Sequence, residues 1–231
     1  MGKIYNKESS DISSRIEVEE DLKKWLKAVE NSDLQGRFKV WCFQDGVIPR
    51  LRWPFQLYDI PLTSVQQMER MCSRFLRKWL GVPPSFSSVN LYSMSAAVSV
   101  PVTSVTEEYK VAKVRTIVTL ENSQDQVVQN AGIAFKCGRK WSPQKEVKEA
   151  KEALRMEEIV GITCRGRLGL VHNHEKYWSK ATKRERRDLI VQQVRKNQEQ
   201  ERCTKAVGLT YQGACMNWEA AIKRTVTWSD I

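Results

Sequence analysis

An amphipathic segment at residues 64–80 constrains the fold more than any other part of this sequence. At the 100° per residue of an α-helix, its apolar residues share one side and its basic residues share the other. Thr63 or Ser64 can cap its start, and Gly81 followed by two prolines can end it. The pattern predicts a helix that is packed on one side and exposed to water on the other. The apolar set is Val65, Met68, Cys72, Phe75, Leu76 and Trp79, and the basic set is Arg70, Arg74, Arg77 and Lys78.

Helical periodicity or helix-start signals recur along most of the chain, and few segments alternate as strands do. Ser104 and Thr182 each open a capping box, with a glutamate three residues later. Gly46 is expected to end one helix, and Pro54 to bend or restart the next. We therefore predict a mainly α fold. The predicted helices cover residues 15–30, 34–44, 48–58, 64–80, 104–120, 142–156, 182–207 and 214–223.

A stretch rich in Ser and Pro at residues 81–101 has little periodicity and indicates a boundary between two helical regions. We expect a polar, disordered N-terminus at residues 1–14, a helical bundle at 15–95 and a second, irregular helical region at 96–231. The aromatic side chains expected to be buried in the bundle are Trp25, Phe75 and Trp79.

The charge balance favours a polyanionic partner, because 38 basic and 27 acidic residues give a net charge of +11. The longest uncharged stretch, residues 79–106, contains three prolines and many Ser and Thr residues, so we expect no membrane span. The N-terminus lacks the apolar segment of a secretory signal, and the six cysteines form no C-x-x-C pair. We expect reduced thiols and an intracellular protein, nuclear or cytoplasmic and not secreted.

No catalytic centre is predicted from the residue pattern. The one grouping of possible metal ligands, Cys164 with His172 and His174, lacks the second ligand pair of a structural zinc site. The sequence has no G-x-S-x-G nucleophile motif, no phosphate-binding glycine loop and no Asp-Asp pair. We therefore expect no enzymatic activity from this chain alone, no metal site and no cofactor.

Three groups of basic residues are candidate nucleic-acid contacts. The first is the basic side of the helix at residues 64–80, where cations can follow a phosphate backbone. The second follows the Thr182 capping box, where the helix dipole disfavours cations and a bound anion would offset that cost. In the third, two cations precede Trp141, a possible stacking side chain. The alternative for the first two groups is that the cations lie on solvated helix surfaces and bind nothing. The alternative for the third is that Trp141 is a core residue. The second group is Lys183, Arg184, Arg186 and Arg187, and the third is Arg139 and Lys140.

An ordered series of segments also resembles a known family. The segments are GRFKVWCFQDGVIPRLRWP (36–54), SRFLRKWLGVP (73–83), EEYKVAKVR (107–115), GRKW (138–141), KATKRERR (180–187) and WEAAIKRTVTW (218–228). Together they resemble the region that follows the polymerase core in non-LTR retrotransposon reverse transcriptases, the site-specific LINE-type elements.

The resemblance implies that residues 15–95 are similar to a reverse-transcriptase thumb and that residues of about 100–231 are similar to the helical linker behind it. It also implies that Arg50, Arg74, Arg77 and Lys78 face nucleic acid. The polymerase palm with its paired aspartates is absent from this sequence. We therefore expect binding to RNA or an RNA–DNA hybrid without catalysis, a separate or upstream palm being needed for polymerisation. The alternatives are a helical protein-interaction scaffold and a decayed retroelement fragment with no selected activity.

Overall fold

The protein is mainly helical, which confirms the predicted fold class. The computed structural model describes residues 11–94, 102–130, 135–160, 162–163, 170–171 and 178–208. The predictions for residues 1–10, for Cys164, His172 and His174, and for the helix at 214–223 lie outside the described residues.

Nine α-helices and two short strands are formed by the described residues. The two strands pair antiparallel, Ile162 opposite Val171. The helices are α1 (Ile12–Glu30), α2 (Gly36–Trp41), α3 (Ile48–Leu57), α4 (Leu62–Trp79), α5 (Ser88–Tyr92), α6 (Val105–Glu121), α7 (Gln126–Asn130), α8 (Pro143–Val160) and α9 (Lys183–Val207), and the strands are β1 (Ile162–Thr163) and β2 (Leu170–Val171).

The start of α1 differs from the sequence prediction, because the helix begins at Ile12, inside the segment expected to be disordered. Ser14 is already buried there. Just before the helix, the Asp11 carboxylate accepts the backbone N–H of Asp59 at 2.7 Å. This contact with a residue 48 positions away ties the helix start to the bundle.

Residues 36–57 form one continuous helical run, in which a π-helical turn (Cys42–Val47) joins α2 to α3. The prediction that Gly46 ends a helix is therefore wrong, since Gly46 lies within this turn. The buried side chains of Phe43 and Val47 hold the turn against the core. Pro54 lies inside α3 without a restart, between the buried Leu51 and Phe55. Burial of apolar side chains on both sides offsets the loss of one backbone hydrogen bond.

Helix α4 begins at Leu62, two residues before the predicted start, and neither Thr63 nor Ser64 caps it. The N–H of Leu62 instead donates to the carbonyl of Cys137 at 2.9 Å. The carbonyl of Pro61 accepts the N–H groups of Ser64 and Val65 at 2.9 and 3.3 Å. A long-range partner thus takes one of the donors that a local cap would have satisfied.

Two apolar cores share α6. The first lies among α1, the helical run 36–57, α4, α5 and the start of α6, where the rings of Phe55 and Tyr109 meet edge to face with centroids 5.3 Å apart. The second lies among α6, α8 and α9 and contains Val114, Leu154 and Val194. Since α6 contributes to both cores, the two helical groups are packed together. The division into domains at residue 96 stays a prediction.

A buried lysine on α6 closes the end of α3. Lys113 is fully buried, and its Nζ donates to the backbone carbonyl oxygens of Tyr58 at 2.8 Å and Gln56 at 3.4 Å. The carboxylate of Asp59 lies 3.5 Å away. A cation at the C-terminus of a helix donates hydrogen bonds to the free carbonyl groups there and interacts favourably with the helix dipole. Lys113 therefore stabilises the junction of α3 and α6.

The two predicted capping boxes have different outcomes. At α9 the box is complete: Thr182 Oγ1 accepts the N–H of Glu185 at 3.3 Å, and Glu185 accepts the N–H of Thr182 at 2.9 Å. At α6, Ser104 Oγ accepts the N–H of Glu107 at 3.2 Å, as predicted. The return bond from Glu107 was wrongly predicted, because its carboxylate pairs with arginines of α9. Among the described helices, none combines the length and apolar character needed to cross a bilayer.

Candidate nucleic-acid interface

The outward side of α4 carries two cations without an internal partner. Arg70 and Arg74 are exposed and make no hydrogen bond or ion pair with the described part of the chain. They are four residues apart, so they stand on one side of the helix with a rise of about 6 Å between them. Lys78 follows at the same spacing, with its side chain 71 % exposed. We call Arg70, Arg74 and Lys78 the α4 outer face.

The opposite side of α4 fixes the direction of the outer face. Its buried side chains form a stripe that packs into the first core. The predicted burial of Trp79 is confirmed, whereas Phe75 and Trp25 are only partly buried against the core. Because the apolar side is anchored, the cations are held toward water. The buried stripe consists of Leu62, Val65, Met68, Cys72, Leu76 and Trp79.

Arg77 does not project outward with the other cations of α4, so that part of the prediction is wrong. Its Nε donates to the carbonyl of Phe86, and its second amino group donates to Ser88 Oγ, both at 2.7 Å. The guanidinium therefore fastens the connection between α4 and α5. Sequence spacing did place Arg77 on the polar side, but the connection folds back over it.

Lys78 is exposed but paired, because its Nζ donates to the carboxylate of Glu30 at the end of α1. The same carboxylate accepts Trp79 Nε1 at 2.5 Å. The hydrogen bond from Lys78, followed by that from Trp79, holds the pKa of Glu30 below its ordinary value. Arg70 and Arg74 therefore carry the unneutralised charge of the outer face.

Arg50 is exposed on α3, away from the α4 stripe. Its guanidinium lies over the ring of Trp25, 5.6 Å from the ring centroid. This distance is typical of a cation–π contact, which leaves the charge accessible to an anion. Arg50 is thus an exposed cation held by a side chain of α1.

The structure separates the Arg139–Lys140 pair from its aromatic neighbour. Both cations are exposed after Gly138, which has a positive φ of 92° and lies beside Pro61 at the start of α4. The neighbouring Trp141 is partly buried against the core: its Nε1 donates to Glu146 at 2.8 Å, and its ring lies 5.9 Å from that of Tyr109. This geometry favours the core interpretation of Trp141 over the stacking one.

The four cations at the start of α9 divide into two kinds. Lys183 and Arg184 are exposed. Arg186 donates to the carbonyls of Trp178 and Ser179 at 3.1 and 3.2 Å, and its guanidinium lies 5.2 Å from the Trp178 ring centroid. Arg187 lies 3.7 Å from the carboxylate of Asp188. Arg186 therefore secures the turn that precedes α9 rather than pointing to solvent.

Sequence reasoning missed a cluster of ion pairs where α6 meets α9. The carboxylate of Glu108 accepts hydrogen bonds from Arg195 at 2.6 Å and from Arg52 of α3 at 3.0 Å. The carboxylate of Glu107 accepts hydrogen bonds from Arg195 and Arg202. Burial disfavours the charged forms of Arg195 and Arg202, but their glutamate partners outweigh it and raise both pKa values. The signal was present in the sequence, since Arg195 and Arg202 are seven residues apart and share a face of α9.

No cluster of three or more His, Cys, Asp or Glu residues suited to a metal ion occurs among the residues that the structure describes. No protein-family model matches the chain, and neither a curated protein nor a solved structure is significantly similar to it.

Proposed function

We propose that this protein binds the phosphate backbone of RNA or of an RNA–DNA hybrid through the α4 outer face, without catalysis of its own. The observation that carries this proposal is that Arg70 and Arg74 are exposed on one side of one helix and unpaired within the described chain. Most other arginines of α4 and α9 have a hydrogen-bond or ion-pair partner within the described chain. They are Arg77 of α4 and Arg186, Arg187, Arg195 and Arg202 of α9.

The proposed mode of binding is backbone contact rather than base reading. A guanidinium donates two parallel N–H bonds to a phosphate, and each phosphate contact releases condensed counterions. The α4 outer face consists of two arginines and a lysine, whose charges can contact a phosphate whatever base it carries. Binding is expected to be strongly salt-dependent and weakly sequence-selective.

The resemblance to retrotransposon reverse transcriptases gives this proposal its substrate class. A thumb grips a template–primer duplex, and the second half of α4 contains residues 73–79 of the segment 73–83 that carries part of the resemblance. In this proposal a palm from elsewhere supplies the polymerase chemistry, the protein acts inside the cell, and Arg50, Arg139, Lys140, Lys183 and Arg184 add exposed positive charge.

The test is a titration of a fluorescent RNA–DNA hybrid by anisotropy over a series of salt concentrations. The variant Arg70→Gln/Arg74→Gln is expected to weaken binding and to flatten the slope of log affinity against log salt by about two, one for each lost phosphate contact. Helicity is expected to stay unchanged, because Gln is nearly as good a helix former as Arg.

The matched control is Lys145→Gln/Lys148→Gln on α8. It also removes two positive charges from the protein. The two lysine side chains are 76 % and 78 % exposed and lie near Glu149 and Glu152. It is expected to leave the salt slope nearly unchanged. Equal slopes for both double variants would show that the α4 outer face is ordinary solvated surface.

One observation favours the alternative of a protein-interaction scaffold. Phe38, Trp41 and Trp53 are large side chains on the helical run 36–57 that are 46 %, 49 % and 47 % exposed. Exposed aromatics are enriched where proteins bind proteins. A scaffold would give no salt-dependent hybrid binding at all, so the same titration separates the two functions.

A further inference from the structure

A cleft of about 500 Å³ opens where the end of α3, the second half of α6 and the start of α9 meet. This volume falls within the range of small-molecule sites. Arg115 and Thr119 are four residues apart on α6 and so line it from one face, Gln56 closes the α3 side, and Arg187 and Asp188 stand on the α9 side. The cleft lies apart from the α4 outer face.

Arg115 of α6 and Arg187 of α9 line the same cleft, and two guanidinium groups there suit an anionic ligand. Asp188 lies close to Arg187, at 3.7 Å. Arg115 makes no hydrogen bond or ion pair with a described residue, although Glu108 lies seven residues, or two turns, before it on α6. Both oxygens of Glu108 are already used, one by Arg195 at 2.6 Å and the other by Arg52 at 3.0 Å.

The electrostatics of Arg115 reflect this arrangement. Partial burial is the largest cause that lowers its pKa, and the charges of Arg195 and Arg52 add to it, while those of Glu108 and Asp188 act in the opposite direction. Arginine stays protonated in proteins, so the exposed Arg115 presents its charge to the cleft, and the net effect of its surroundings disfavours that charge. An anion in the cleft would compensate that charge.

The polar groups of the cleft also indicate what surrounds the anion. The hydroxyl group of Thr116 donates a hydrogen bond to the carbonyl of Ala112 at 3.0 Å. Its oxygen is therefore left to act as an acceptor toward the cleft. Asp188 adds acceptor oxygens, whereas the side-chain amide of Gln56 supplies donors. The lining therefore combines cations for an anion with acceptors for hydroxyl groups.

We propose that this cleft binds a small phosphate monoester that also carries hydroxyl groups, with its phosphate between Arg115 and Arg187. The planar guanidinium groups match the oxygens of a phosphate, and the hydroxyl groups of the ligand donate to Thr116 and Asp188. The site is independent of the proposed backbone contact on α4, because different helices form it.

The test is isothermal titration calorimetry of the full chain with ribose 5-phosphate, inorganic phosphate and ribose, in a phosphate-free buffer of low ionic strength. Ribose 5-phosphate is expected to bind more tightly than inorganic phosphate, and ribose to give no heat. Arg115→Gln is expected to weaken ribose 5-phosphate binding about tenfold or more, since it removes a charge-assisted hydrogen bond. Lys148→Gln is the charge-matched control and is expected to change nothing.

Absence of heat with ribose 5-phosphate, equal binding of ribose, or unchanged binding by Arg115→Gln would overturn the proposal. Equal affinities for inorganic phosphate and ribose 5-phosphate would overturn the assignment to a monoester. If Arg115→Gln does not fold by circular dichroism, Arg187→Gln takes its place with the same expected loss, and unchanged binding there overturns the site. The variant Arg70→Gln/Arg74→Gln is expected to keep ribose 5-phosphate binding, which separates this result from that of the hybrid titration.

Discussion

The arginines of α4 and those of α9 differ in what faces them. On α4, Arg70 and Arg74 point to water with no acid within the described chain to neutralise them. On α9, Arg195 and Arg202 meet Glu107 and Glu108 across the interface with α6. Both pairs contribute equally to the net charge of the chain, yet only the first is open to a partner. Composition therefore indicates a polyanionic partner, while the packing of the helices selects the cations that can meet it.

The largest effect expected is from removal of the side chain that anchors α4. Trp79→Ala is predicted to lower the free energy of unfolding by about 3–5 kcal/mol, because a buried indole is lost from the first core. The measurement is chemical denaturation followed by circular dichroism. The control Trp53→Ala removes an indole that is 47 % exposed and is expected to cost much less. Equal losses would mean that the outer face is not positioned by packing of the inner one.

The next effect concerns the paired arginines. Glu108→Ala is predicted to destabilise the protein by about 2–4 kcal/mol, because it removes the carboxylate that pairs with Arg52 and leaves Arg195 with Glu107 alone in a half-buried site. The expected loss is below that of a fully buried pair, since the side chain of Arg195 is 34 % exposed and partly solvated.

The comparison with α4 is sharpened by measuring Arg70→Gln/Arg74→Gln in the same denaturation series. This variant is predicted to change the free energy of unfolding by under about 0.5 kcal/mol, as substitutions at unpaired surface positions usually do. A loss similar to that of Glu108→Ala would show that the two arginines of α4 have a structural role that their exposure does not reveal.

The sequence was informative wherever local chemistry decides the structure. The capping box at Thr182 and the amphipathic pattern of α4 depend on residues within one or two turns, and both predictions were confirmed in outline. The mainly α fold followed from the same periodicities.

The predictions failed where a distant residue supplies the partner. The bond from Leu62 to Cys137 moves the start of α4, the carbonyl of Phe86 captures Arg77, and Arg195 draws Glu107 away from its own helix start. None of these contacts has a local signature, because each joins segments that only the tertiary fold brings together. The sequence therefore predicted which residues at the candidate site are charged. It did not predict which of those charges are left unpaired and open to a partner.

The smallest effect expected is the pH dependence contributed by Glu30, the acid that pairs with Lys78 of the outer face. Hydrogen bonds from Lys78 and Trp79 lower its pKa in the folded protein relative to the unfolded chain. Its contribution to stability is therefore complete above the ordinary pKa of a glutamate and is lost as the pH falls through the lowered value.

Glu30→Gln should remove this contribution while retaining an acceptor for Trp79 Nε1. Denaturation midpoints measured from neutral pH down to acid are expected to fall more steeply for the natural chain than for the variant, and the two curves to converge at the acid end. Parallel curves would contradict the pairing, because a carboxylate with the same pKa in both states adds no pH dependence. Lys78 would then be as free as Arg70 and Arg74, and the outer face would present three unpaired cations instead of two.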